Sequence, residues 1–353
     1  MDFTSRHTLV SILASVSLLA ASLACTVCGP MVNLPPKATT EVRTESSTEV
    51  VTETRTLAPK VFVTDLGNVY GIAFDEEGYL FATGTEGDKY VVWRIDQNGE
   101  KEMFVELLDR GDALSDAGLA AHAPYLANLA IDGEHNIWIT SRRQGACFVA
   151  TPERDAFKTY LNGYMSITLQ DALAYSQGVV WDGGTNHLHI ITSGPESEYG
   201  TKLREHIRTL ALDEINDIVL NKSKTVNNTG FEIQEKGSGL IWGQGILYLL
   251  GQQALYEVKA DGELEQVGTE AKGMTLWGGA ADGGGAIYLA ANDADYTPEE
   301  AQGENGLVLK VDSKGKQTVL LEDVGQPLGM AYQGGYLYIA DRATGSILRV
   351  EIR

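Results

Sequence analysis

Between residue 60 and the C-terminus the chain repeats one pattern six times: a small residue, an apolar strand, an Asp/Gly turn and a second apolar strand. The copies begin Gly71-Ile-Ala-Phe-Asp, Asn128-Leu-Ala-Ile-Asp, Gly178-Val-Val-Trp-Asp, Gly239-Leu-Ile-Trp-Gly, Gly278-Gly-Ala-Ala-Asp and Gly329-Met-Ala-Tyr-Gln, at spacings of 39 to 61 residues. After each turn a ring occupies one recurrent slot: Phe81, Trp138, His189, Tyr248, Tyr288 and Tyr338. Third and fourth strands follow, as at 91–95 with 102–105 and at 307–311 with 317–321. Four strands per period is the signature of propeller blades. A single four-stranded sheet cannot bury both faces, so the blades must stack radially, with the recurrent ring between neighbours. The pattern predicts an all-β, six-bladed propeller over residues 60–353, with no long helix.

The sixth copy ends one strand early, at Arg353. The segment Lys60-Val-Phe-Val-Thr-Asp has the character of a fourth strand, and its addition to the last blade would close the ring and remove an exposed edge. The 39 glycines among 353 residues fit a chain built from many tight turns.

The N-terminus reads as an address. Arg6 and His7 precede an uncharged apolar run from Leu9 to Ala24, too short to span a bilayer but suited to a secretory signal. It ends in Ala-Ser-Leu-Ala-Cys25, which resembles the bacterial lipoprotein signal. That resemblance implies cleavage after residue 24 and acylation of Cys25, giving a cell-envelope lipoprotein; plain secretion is the alternative. Residues 25–59, rich in Thr, Ser, Glu and Pro, lack an apolar stripe and read as a solvated tether. Cys28 and Cys147 have no evident partner in the sequence, and three cysteines make no disulfide framework.

Later repeats carry a resemblance. Gln326-Pro-Leu-Gly-Met-Ala-Tyr, then Gly-Tyr-Leu-Tyr-Ile-Ala-Asp and Gly-Ser-Ile-Leu-Arg-Val, is similar to the repeat of NHL-type and gluconolactonase/regucalcin-like six-bladed propellers. Gly111-Asp-Ala-Leu-Ser-Asp-Ala-Gly resembles the loop before an NHL inner strand. In the gluconolactonase-like enzymes, residues just before the inner-strand glycine include carboxylate and amide ligands of a divalent metal. The matching positions here hold Tyr70, Ala127, Gln177, Ser238, Trp277 and Leu328, none of them a carboxylate.

The chemistry legible in the sequence is otherwise sparse. There is no phosphate loop with its Lys, no Gly-x-Ser-x-Gly and no His-Glu-x-x-His. His187 and His189 share a strand face, but both fall in slots held elsewhere by packing aromatics. Oxygen-rich positions at strand ends, Asn292, Asp293, Asp295 and Asp341, form a candidate Ca²⁺ site. Tyr70, Trp277 and Trp242, with Asn128, Gln177 and Ser238, suggest an aromatic and hydrogen-bonding channel mouth suited to a sugar or peptide. Arg142 is placed near the same mouth, ready for an anionic group.

The chain carries 48 acidic against 27 basic residues, a formal charge of -21, which excludes sequence-independent nucleic-acid binding. Segments 108–124, 194–217 and 292–306 concentrate the acid in what the repeat predicts to be mouth loops. The sequence therefore favours an exported binding or scaffolding propeller, with a small molecule or protein at the mouth and the membrane reached only by a lipid anchor. The alternative is a metal-dependent lactonase or ester hydrolase.

Overall fold

A computed structural model describes residues 57–87, 89–109, 126–141, 146–160, 176–195, 203–222, 230–293 and 306–352. The chain divides into two units, Met1–Thr54 and Arg55–Arg353, and all the described residues belong to the second.

Six four-stranded antiparallel sheets make six blades. Blade one comprises Ile72–Phe74, Leu80–Glu86, Lys89–Ile95 and Lys101–Asp109 from the inside outward. Blade two comprises Leu126–Ile131, Ile137–Ser141, Ala146–Ala150 and Ala156–Tyr160. Blade three comprises Ser176–Asp182, His187–Pro195, Leu203–Ala211 and Phe231–Ile233. Blade four comprises Gly237–Gly243, Ile246–Gly251, Leu255–Val258 and Leu264–Val267. Blade five comprises Met274–Ala281, Ile287–Asp293, Leu307–Val311 and Gln317–Leu321. Blade six comprises Pro327–Gln333, Tyr336–Asp341 and Ser346–Glu351, with Lys60–Val63 pairing antiparallel to the last of these. Each inner strand packs on those of its two neighbours, blade six on blade one included.

A repeated aromatic contact joins the blades. An aromatic at the end of an inner strand meets the slot ring of the preceding blade: Trp242 on His189 at 5.8 Å, Tyr332 on Tyr288 at 6.1 Å, and Phe74 edge-on to Tyr338 at 4.9 Å. Such pairs contribute about 0.5–1.5 kcal/mol each beyond area burial. Phe74 and Tyr338 belong to the first and last blades, so their contact lies on the seam of the ring.

Turn chemistry explains the Asp that ends most copies. Asp132 Oδ1 accepts the Glu134 and Asn136 amides at 2.9 Å, and its Oδ2 accepts the Trp138 indole N–H at 2.8 Å. Asp282 does the same for Gly284, Ala286 and the Tyr288 hydroxyl. One carboxylate thus shapes the hairpin and fixes the slot ring six residues on.

The segment 194–217, expected as one acidic mouth loop, is different. Leu203–Ala211 is the third strand of blade three, and Leu212–Asn221 is a helix that buries Ile215 and Ile218. These isoleucines lie three residues apart and so share a helix face. Since antiparallel strands alternate direction, the helix and its Asp213, Glu214 and Asp217 sit at the hairpin end of the blade, opposite to the expected mouth. Among the described residues, no helix is long and apolar enough to cross a membrane.

Candidate functional site

Five of the six inner strands begin with an irregularity. Register slips occur between Leu126 and Leu129, Ser176 and Val179, Gly237 and Gly239, Leu276 and Gly278, and Pro327 and Met330. A bulge at this point re-aims the residue it carries. Ser238, Trp277, Gln177 and Leu328 all occupy such positions. In blades one and two a buried threonine bonds the start of the inner strand: Thr83 Oγ1 accepts the Gly71 amide and Thr140 Oγ1 the Asn128 amide, both at 3.0 Å.

The glycine opening copies three, five and six is required by close approach of a neighbouring backbone. A Cβ on Gly278 would overlap the Leu328 carbonyl oxygen, and one on Gly329 would overlap that of Tyr70. Neighbouring inner strands therefore meet backbone to backbone. Only blade two has a larger residue in this slot, Asn128. Its amide nitrogen lies 3.1 Å from where a Gly239 Cβ would be, so the side chain reaches across to blade four.

Beyond this glycine layer lies a central cavity of about 300 Å³. Each blade contributes the three residues that follow its small residue, and Asn128 is the single addition from the slot itself. No described lining side chain is charged. The rim at the hairpin end is Phe74, Ile131, Trp181, Trp242, Ala281 and Tyr332, all half-buried. Inner strands are edge strands, so their unpaired N–H and C=O groups face the axis between the apolar side chains.

Of the sequence-derived mouth residues, Asn128 joins this cavity lining, whereas Tyr70, Ser238 and Trp277 lie on the other side of the glycine layer. Tyr70 and Leu328 are buried together in an apolar cluster with Leu126 and Leu129, and half-buried Trp277 packs against it. Buried Ser238 donates to the Leu250 carbonyl at 3.2 Å. The backbone of Gln177 lies in the blade-three inner strand, and Arg142 is outside the described residues. Trp242, expected beside Tyr70 and Trp277, is at the opposite end of its strand, just before the Gly243-Gln244-Gly245 turn. A strand rises about 3.3 Å per residue, which separates Trp242 from Ser238 by roughly 13 Å. The rim aromatics were missed as a group, although each directly precedes its turn in the sequence.

Two of the candidate calcium ligands come together, around Gln326 and Pro327. Asn292 donates its amide to the Pro327 carbonyl at 2.8 Å, and Asp341 accepts from the Gln326 amide at 2.9 Å. Asp341 also accepts from the Ala343 amide and the Thr344 hydroxyl, so it anchors the entry to blade six. Asp293 is exposed at the strand end, and Asp295 and Cys25 are outside the described residues. Among the described residues, no three His, Cys, Asp or Glu side chains converge as a metal-binding group.

His189 and His187 serve packing. The His189 ring stacks on Trp242, and its Nδ1 lies 3.0 Å from the Thr209 hydroxyl. Burial pulls its pKa down to about 4, with Asp182 opposing the shift and His187 adding to it. His187 Nδ1 instead meets the Thr185 hydroxyl at 2.8 Å.

No family model matches the chain, and no curated protein does either. Solved structures do. A gluconolactonase from Xanthomonas campestris aligns over 84% of this chain and 90% of its own, at 11% identity and a TM-score of 0.56. The calcium-binding protein regucalcin from Agrobacterium tumefaciens aligns over 84% and 96%, at 16% identity and 0.50. An aldose sugar dehydrogenase from Streptomyces coelicolor, in its PQQ-bound form, aligns over 84% and 98%, at 14% and 0.51. These likenesses establish the propeller fold. The proteins named differ in chemistry, so activity has to be argued from the site.

Proposed function

We propose that this chain is an exported binding module, held to the cell envelope by a lipid on Cys25 and a solvated tether, whose propeller binds a small ligand in its central channel. One observation supports binding over hydrolysis: Asn292 and Asp341, the best-placed oxygen ligands among the described residues, are engaged with the backbone at Pro327 and Gln326. Around the inner-strand starts, buried Tyr70, Ser238 and Leu328 occupy places where the gluconolactonase-like resemblance would put carboxylate or amide ligands.

A second reading, a calcium-dependent lactonase or ester hydrolase, draws on the fold shared with a gluconolactonase and with calcium-binding regucalcin. Both readings meet in one test. Calcium is titrated into the full chain by calorimetry, and hydrolysis of sugar lactones and simple esters is followed with and without calcium. The binding module gives no calcium-dependent turnover. Turnover that requires calcium and is lost in Asp293→Asn or Asp295→Asn overturns it in favour of the hydrolase.

A further inference from the structure

A hairpin turn follows directly on each of the six rim residues, so the turns encircle the hairpin end of the channel. Their charge is one-sided. Asp75, Asp132, Asp182 and Asp282 come immediately after Phe74, Ile131, Trp181 and Ala281, one Cα step of about 3.8 Å away. Glu76, Glu77 and Glu134 are exposed just beyond them. No Lys or Arg occurs in any of the six turns, 75–79, 132–136, 182–186, 243–245, 282–286 and 333–335. Bases on this face, among them Arg154, Lys222, Lys259, Lys314 and Lys316, belong to the outer connections between third and fourth strands. Arg94, Lys310 and Arg349 come closer to the inner turns, over the Tyr79, Tyr288 and Tyr336 rings, and Arg94 lies 3.8 Å from Glu77.

The cavity and this charge pattern are separate observations with a common implication. Negative charge around a narrow, low-dielectric opening focuses its field into the opening and concentrates cations there. Behind the carboxylates stand Trp181, Trp242, Phe74 and Tyr332, half-buried residues of the lining; the rings of the last three each pack on a slot ring of the preceding blade, and the aromatic surface this leaves attracts cations and suits an apolar body. Within, the unpaired strand edges offer carbonyl oxygens, with no charged side chain to compete. A bare metal ion would find no convergent ligand cage among the described residues.

We infer that the channel takes a small organic cation, a quaternary or alkylated ammonium with a compact apolar body, entering from the hairpin end. This assignment rests on the binding-module reading and gives its site a ligand class.

The test titrates the full chain with choline and with its uncharged isostere 3,3-dimethyl-1-butanol, by calorimetry at low salt. Saturable choline binding is expected, with the isostere weaker by roughly tenfold. The triple variant Glu76→Gln, Glu77→Gln, Glu134→Gln alters exposed side chains and should weaken choline severalfold while leaving the isostere unchanged. Trp242→Leu should weaken both. Absence of saturable choline binding, equal affinity for the two compounds, or choline affinity indifferent to the triple variant overturns the assignment. Saturable glucose binding without choline binding also overturns it, yet leaves the binding module standing; calcium-dependent lactone hydrolysis removes the module itself.

Discussion

The indole of Trp242 lies on the imidazole of His189, with ring centroids 5.8 Å apart and planes 20° from parallel. A tryptophan from blade four is thereby held against blade three by a ring that has to stay uncharged to remain buried.

This contact makes stability depend on pH. Burial lowers the His189 pKa from 6.5 to about 4, so the unfolded chain binds a proton more readily than the folded one. The contribution is intact above pH 6.5 and is lost as pH falls from 6.5 through about 4, to a limit of ~3 kcal/mol. Denaturant midpoints at pH 7.5 and 4.5 should converge in His189→Phe, which keeps a ring for Trp242. Parallel pH profiles in the variant and the parent would count against this account.

Substitution at the glycine slot should be costly where backbones touch and harmless elsewhere. Gly278→Ala places its Cβ against the Leu328 carbonyl and should lose at least ~2 kcal/mol, or fail to fold. Gly283 has nothing within 4 Å of such a Cβ, so Gly283→Ala should stay within about 0.5 kcal/mol of the parent. Thermal unfolding of the two variants side by side reads the contrast.

Leu66 holds the seam. Its side chain is fully buried, its amide donates to the Gly345 carbonyl at 3.0 Å, and its carbonyl accepts from the Thr85 amide and the Trp93 indole. Leu66→Ala should cost ~2–5 kcal/mol. Deleting residues 60–66 should unfold the domain, whereas deleting 26–56, which spares the packed Leu57, should leave the melting temperature unchanged. Equal melting temperatures for the two deletions would refute the role given to this segment.

The lipid anchor proposed at Cys25 has its own readout. In a bacterial host supplied with radioactive fatty acid, the chain should take up label and partition with membranes. Cys25→Ser should abolish the label and release the protein. Label that persists in that variant refutes the anchor.

The blades were legible because each strand carries its own evidence: an apolar run, a turn Asp and a slot ring recur within a few residues of one another. Trp138 and Tyr288 could be assigned to packing from their spacing alone. The site was less legible because it depends on what faces a residue across the ring. Tyr70 looked like a mouth residue, and its burial follows from Leu328 and Trp277, which lie far along the chain. Trp242 belongs at the hairpin end because it directly precedes the Gly243 turn, a position that its aromatic character alone does not convey. The helix Leu212–Asn221 is hard to read in the sequence because its ten residues interrupt a pattern of period two and its acids resemble those of a loop.

The contacts of Gly278 and Gly329 with neighbouring main chain have a consequence for how such a protein diversifies. The bore is gauged by peptide groups meeting peptide groups, so its width is insensitive to which side chains stand above or below that level. Sequence can drift widely around a fixed aperture, in keeping with shared architecture at 11–16% identity. An engineer could accordingly re-line the channel for a new guest, one rim residue at a time, without re-sizing it.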